Sequence, residues 1–454
     1  MNPSVLRIIA LVLATTTTSA LAEDWPTYRH DARRSGVTTE ALSFPLRETW
    51  VRRSKHHPQT AWTGPAKWDA YSGNRGLQSM RNFDPCFYVT ASGDQVFYGS
   101  SVDDAVHALD AESGEERWVF FTDSAVRFPP SLDQGRAYFG SDDGHVYCCG
   151  QENGDLIWKL CASAENRYVT SNRKLLSMWP IRTGVLLQGG KAIFGASLVP
   201  WEPSYLLSVS AVDGKLGDQH CFHIAIDGVT LQGALLASSE RIYVPQGRAA
   251  PLSFDLNTGN ALGAIGEAGG VFCVLTEDEM LLAGPQTQKE STDQIRIADA
   301  ASKRRVATFG GTNRILVDGA KAWIPSGGKL KMLDRAEFVA GQLVASKQRA
   351  TLSDKKLTDE TVKRQAQTRL AAAQKRQADA WQWEVECPPP HGFVKAGSAI
   401  LVGLDGEVRA YGSLDGKLLW VHSVEGVAHG LAVANGRLFV STGLGHIYAF
   451  TNSQ

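Results

Sequence analysis

One phrase recurs along this chain and limits what it can fold into. It is clearest as Val106-His-Ala-Leu-Asp-Ala-Glu-Ser-Gly-Glu-Glu-Arg-Trp118, and it returns as Val146-Tyr-Cys-Cys-Gly-Gln-Glu-Asn-Gly-Asp-Leu-Ile-Trp158 and Val408-Arg-Ala-Tyr-Gly-Ser-Leu-Asp-Gly-Lys-Leu-Leu-Trp420. Alternating apolar residues, a turn cluster ending in Ser113-Gly114 and a strand closing on a large aromatic describe a β-hairpin. An alternating strand, Gln95-Val-Phe-Tyr-Gly-Ser-Ser101, and the segment Cys86 to Thr90 precede the first copy, so each unit holds about four short strands. That is the content of one propeller blade, and internal repetition of such a unit predicts a ring of small antiparallel sheets.

Units start near Gly93, Gly135, Gly190, Ser239, Glu279, Gly319, Gly397 and Asn435-Gly436, which predicts an all-β, eight-bladed β-propeller. The last copy stops at Ile447-Tyr-Ala-Phe450, before its closing Trp strand, and Leu46-Arg-Glu-Thr-Trp-Val51 supplies that strand from the other end. The N- and C-terminal strands therefore share one blade, and closure removes the exposed sheet edges that invite aggregation. Trp50, Trp118, Trp158 and Trp420 are the expected docking residues between blades; in the middle copies the matching positions hold Asp218, Gly263 and Ala307.

The repeat Val-x-Ala-Leu-Asp-x-x-(Ser/Thr)-Gly-x-x-x-Trp resembles the tryptophan-docking repeat of the pyrroloquinoline-quinone-like (quinoprotein alcohol dehydrogenase-like) propellers. That group includes quinoprotein alcohol dehydrogenases and the propeller lipoprotein of the Bam complex. The opening Trp25-Pro-Thr-Tyr-Arg-His-Asp-Ala-Arg-Arg-Ser-Gly36 is similar to the entry segment of its secreted bacterial members. The resemblance implies two activities to weigh: a dehydrogenase using the quinone and calcium, and an outer-membrane assembly factor. The calcium ligands and catalytic Asp of the dehydrogenases have no recognisable match here, so neither cofactor is expected. A vicinal cysteine pair lies near the quinone in some dehydrogenases, but Cys148 and Cys149 fall inside a strand, where neighbours point to opposite faces, and read as two small buried hydrophobes.

Residues 1–22 read as a signal peptide: Arg7, the apolar run Ile8 to Ala14 and the small-x-small site Ala20-Leu-Ala22. No Cys follows that site, so no lipid anchor is expected, and the apolar run is too short to span a bilayer. The mature protein, residues 23–454, is then a periplasmic or secreted monomer. Export permits disulfides, yet the seven cysteines leave at least one thiol unpaired, and without a CxxC they suggest no metal site. With 46 Lys and Arg against 47 Asp and Glu, no global field selects nucleic acid.

Between Asp334 and Trp381 the pattern breaks. Val362, Ala366 and Leu370 recur at four-residue spacing behind the cap residues Asp359 and Glu360, predicting a helix from Asp359 to Ala380 and a second one over Ala336 to Lys347. The insertion, 335–380, belongs to the sixth blade. Lys363, Arg364, Arg369, Lys375 and Arg376 give it a basic face of the kind that solvated helices carry.

Function on a ring gathers where the loops between blades converge. Arg127 stands nine residues after Trp118 and His429 nine after Trp420; Arg182 and His391 occupy the same register, and Asp84 and Gln232 fall in corresponding loops. Together with Trp179 and Trp201 as stacking surfaces, they form a candidate anion or carbohydrate site at the channel mouth. No nucleophile elbow, phosphate loop or His-Glu-x-x-His is present, which favours a non-catalytic module that binds an envelope protein or glycan.

Overall fold

Asp110 shows why the phrase folds as it does. Its carboxylate accepts hydrogen bonds from the backbone of Glu112 and Ser113 and from the Ser113 hydroxyl, closing a turn that Asp255 repeats with Asn257 and Thr258. The glycine that follows, Gly114, has φ +73° and lies so close to the Trp50 indole that a Cβ would sit 2.6 Å from it. The same contact joins Gly154 to Trp118, Gly214 to Trp158 and Gly416 to Trp383. The glycine thus serves both the left-handed turn and the seat for a neighbouring sheet's tryptophan.

The computed structural model describes residues 23–62, 83–165, 167–171, 174–217, 220–247, 249–266, 268–284 and 294–452. The expected signal peptide, 1–22, and Asp218 lie outside them. Six four-stranded antiparallel sheets follow one another along the chain, running from Val89–Ser92 in the first to Trp381–Glu386 in the sixth. An eight-stranded sheet completes the set: Leu418–Ala434 is shared between two four-stranded halves, pairing with Asp405–Gly412 through its first part and with Arg437–Thr442 through its last. At one edge Leu46–Arg52 pairs antiparallel with Ile447–Asn452, and at the other Val37–Thr38 runs parallel to Gly392–Ala396. A separate hairpin, Tyr168–Ser171 with Lys174–Ser177, lies between the second and third sheets.

The docking tryptophans link consecutive sheets, and Trp420 the two halves of the eight-stranded sheet, by hydrogen bonds as well as by packing. Trp118 Nε1 donates to Gln151 O (2.9 Å), Trp158 Nε1 to Ala211 O (3.1 Å), Trp420 Nε1 to Leu46 O (2.9 Å) and Trp50 Nε1 to Ala111 O (3.1 Å). In the third sheet the docking ring is Phe222, whose side chain would meet a Cβ on Gly259 at 2.8 Å. Phe222 stands eight residues after Gly214, whereas Trp118 stands four after Gly114, so the position matched by spacing, Asp218, holds no aromatic.

Two helices connect the third and fourth strands of the sixth sheet: α1, Arg335–Ser353, and α2, Glu360–Asp379. Asp334 caps α1 by accepting from Glu337 N, and Asp359 caps α2 by accepting from Thr361 N and Val362 N. The helices pack through Gly341, where a Cβ would meet Ala373 O at 3.0 Å, and through an Arg376–Glu337 ion pair. Lys363 and Lys375 are likewise paired, with Glu360 and Asp379, so the basic face is largely self-compensated. All seven cysteines are free thiols; Cys148 and Cys149 are fully buried. Among the described residues no helix is long and apolar enough to cross a membrane.

The segment Trp25 to Thr38 runs across the first strands of five sheets. Trp25 exchanges two backbone bonds with Ala91, while Pro26 O, Ala32 O, Arg33 O and Gly36 O accept from Leu132, Ala237, Leu275 and Lys395. The Arg34 guanidinium, 2% exposed, donates to Leu235 O, Tyr28 O and Asp31 O. This segment occupies one side of the hub onto which the sheets converge.

Candidate functional site

The connections between sheets bring the polar candidates into two groups rather than one ring. In the first, Asp142 Oδ2 accepts from Arg127 Nε (2.7 Å) and Arg182 NH2 (2.8 Å), and its Oδ1 accepts from Arg182 Nε (2.9 Å). Arg127 NH1 also donates to Asp84 Oδ2 (2.7 Å) and to Gln59 O (2.8 Å). All four charged side chains are nearly inaccessible, with none above 7% exposed. Burial pushes the Asp142 carboxyl up, but Arg127 and Arg182 more than offset this and leave it below its ordinary value. At Asp84 burial outweighs Arg127, and the carboxyl is raised. Trp62 completes the group: its Nε1 donates to Gln232 Oε1 (2.8 Å), and the Arg182 guanidinium lies 5.5 Å from its ring centroid.

Two guanidiniums and two carboxylates balance, so this cluster presents no net charge to an anion. Its geometry ties the connection before the first sheet to those flanking the second, a cross-link within the hub.

The second group holds His391 and His429, whose rings meet edge to face at 5.2 Å. They line a cavity of about 40 Å³ with Tyr28, Arg29, Tyr88, Phe272 and Arg314. Burial, then Arg314, holds the His391 imidazole below its usual range; burial, then His391 and Arg314, pushes His429 down to about 3. Both rings are therefore neutral near pH 7.

Trp179 belongs to neither group. It is 1% exposed, its Nε1 donates to Pro203 O (2.8 Å), and Arg167 covers its ring at 4.8 Å, so the indole is core and not an open stacking face. Trp201 is 77% exposed on the surface.

A family model described as outer membrane protein assembly factor BamB, built on PQQ-like repeats, matches residues 59–262 and 404–454. The chain belongs to this PQQ-like β-propeller family. BamB from Moraxella catarrhalis is similar in fold, with TM-score 0.52 and 13% identity over 90% of this chain and 100% of that one. So are two quinohemoprotein alcohol dehydrogenases: ADHIIG from Pseudomonas putida HK5 (TM-score 0.59, 11% identity, 94% of this chain and 80% of that one) and the Comamonas testosteroni enzyme (0.59, 12%, 95% and 81%). No curated protein sequence matches the chain.

Propeller relatives of the dehydrogenase kind raise the question of whether these residues fit a quinone with calcium. The hub cavity, about 40 Å³, is far below the roughly 300 Å³ at which pockets for ligands of that size begin. Among the described residues no group of three or more His, Cys, Asp or Glu side chains is placed to hold a metal ion. The hub cavity does not fit the quinone.

Asp142, Trp62, Arg29, Arg314, Tyr28 and Tyr88 had no sequence signal as site residues. Asp142 stands in Asp142-Asp-Gly144, which reads as a turn, and Arg29 lies in the entry segment.

Proposed function

We propose that this chain is an exported, non-catalytic propeller that serves as a binding or scaffolding module at the cell envelope, engaging a protein or glycan through its loop-bearing face. The observation that carries the reading is a hub occupied by the protein's own groups: a neutral arginine–aspartate cluster on the inter-sheet connections, and the segment Trp25 to Thr38 across the first strands. In this reading the eight-stranded sheet counts as two blades beside the six separate sheets. The ring has eight blades, pairing of Leu46–Arg52 with Ile447–Asn452 closes it, and α1 and α2 form an insertion in the sixth.

Calorimetric titration of the mature protein with pyrroloquinoline quinone, with and without calcium, tests this, together with dye reduction in the presence of alcohols and sugars. No saturable heat and no turnover are expected; calcium-dependent binding or turnover overturns the reading and restores the dehydrogenase. The family match supports a narrower second reading, a partner of outer-membrane barrel assembly. Co-migration of the purified chain with a purified barrel-assembly complex distinguishes the two.

A further inference from the structure

We propose that the cavity between Arg29, Arg314, His391 and His429 binds a small inorganic anion of chloride size. The lining contains two guanidiniums and two imidazoles and no carboxylate. Both guanidiniums lie against one ring, Phe272, at 5.1 and 5.2 Å from its centroid. Arg29 donates to the carbonyls of Arg34, Ser35 and Phe393, and Arg314 to those of Asn313 and His391. Carbonyls take three of the five N–H groups of Arg29 and two of those of Arg314, and they leave the charges uncompensated.

Three of the buried arginines meet a carboxylate, whereas Arg34 donates only to carbonyls and the Thr27 hydroxyl. Arg127 and Arg182 share Asp142, and Arg335 meets Asp278 at 2.7 Å. Arg29 and Arg314, both partly buried, lack a carboxylate as Arg34 does, and two like charges side by side without a counter-charge are costly. A mobile anion removes that cost.

The remaining lining suits the same occupant. His391 and His429, held neutral, each keep one ring N–H, and the Tyr28 and Tyr88 side chains complete the wall. Beyond the wall, Asp31 acts on Arg29 and Asp405 on His391 through longer-range attraction. A volume of about 40 Å³ admits an ion close in size to a water molecule, which takes about 30 Å³ in the liquid, and excludes sugars and aromatic carboxylates. The site stands whether or not the ring acts as a scaffold.

The test uses the full mature protein at constant ionic strength, with gluconate exchanged for chloride and melting followed by fluorescence. A saturable rise in Tm with chloride is expected in the wild type and is lost in Arg314→Gln. Crystals soaked in bromide are expected to show anomalous scattering between Arg29, Arg314 and the two histidines, a readout that does not depend on the variant folding. Identical melting in chloride and gluconate, with no bromide peak in the hub, overturns the proposal.

Discussion

Asp142→Ala is the most direct perturbation of the hub. The carboxylate accepts three charge-assisted bonds of 2.7, 2.8 and 2.9 Å from two guanidiniums. Its removal leaves Arg182 with no carboxylate among its described partners and only the Trp62 ring beside it, whereas Arg127 retains Asp84 and the Gln59 carbonyl. The loss therefore approaches that of one buried charge stripped of its partner, about 3–5 kcal/mol. Asp84→Ala removes one Arg127 contact, the acceptor of the Ala61 N–H and a carboxyl that burial already disfavours in its charged form, so it is expected to cost about 1–3 kcal/mol. Urea denaturation at pH 7, followed by tryptophan fluorescence, measures both. A cost below about 1 kcal/mol for Asp142→Ala, or a larger cost for Asp84→Ala, refutes the view that Asp142 is the neutralising centre.

Trp118→Ala is expected to destabilise by about 3–5 kcal/mol in the same assay, because the indole fills the seat on Gly154 between two sheets. Gly154→Ala should be destabilising from the other side, since φ is +74° and the new methyl would lie 2.7 Å from that indole; an unchanged melt for either variant contradicts the docking geometry. His429 titrates near 3 in the folded chain against an ordinary value of 6.5, so the unfolded state takes up a proton that the native state refuses. Stability is expected to fall as pH drops from 6.5 toward 3, by at most about 1.4 kcal/mol per pH unit, and His429→Gln in low chloride should flatten that slope. Cys161, exposed and paired across strands with His145, has a thiol drawn below its usual range by that imidazole, which Asp143 and then Cys161 raise to about 9. Iodoacetamide should alkylate it first among the seven thiols at pH 7.5, and His145→Gln should slow it several-fold; equal rates at Cys161 and the half-exposed Cys221 argue against activation.

The parts of the fold that the sequence discloses are those repeated within it. Asp110, Ser113, Gly114 and Trp118 each perform one local task, and any copy that keeps all of them shows its hairpin, its turn and its docking seat. Phe222 escaped because it stands eight residues after Gly214 and not four. The cap at Asp359 was legible for the same local reason: a short acidic side chain before an apolar four-residue period accepts the first helical N–H groups. The hub was only half legible. Arg127, Arg182, His391 and His429 share a register after their docking strands, so their convergence could be inferred, whereas Asp142, Trp62, Arg29 and Arg314 meet them only because the sheets bring distant connections together. Nothing in a linear pattern separates an arginine that has found a carboxylate from one that has not.

The entry segment also sets the order in which this molecule can be assembled. Glu23 O accepts from Asn435 N, Glu40 takes the backbone N–H groups of Asn435 and Gly436, and Trp50 lies in a strand whose partner ends at Asn452. Residues that stand 395 and 396 positions apart are thus paired. A chain of stacked repeats can lose its final unit and keep the rest. Here a truncated chain lacks the partners of its own beginning and leaves the edge of Leu46–Arg52 open to other molecules. Contacts of such long sequence separation fold slowly, and the edge of Leu46–Arg52 is open to aggregation until Ile447–Asn452 is in place.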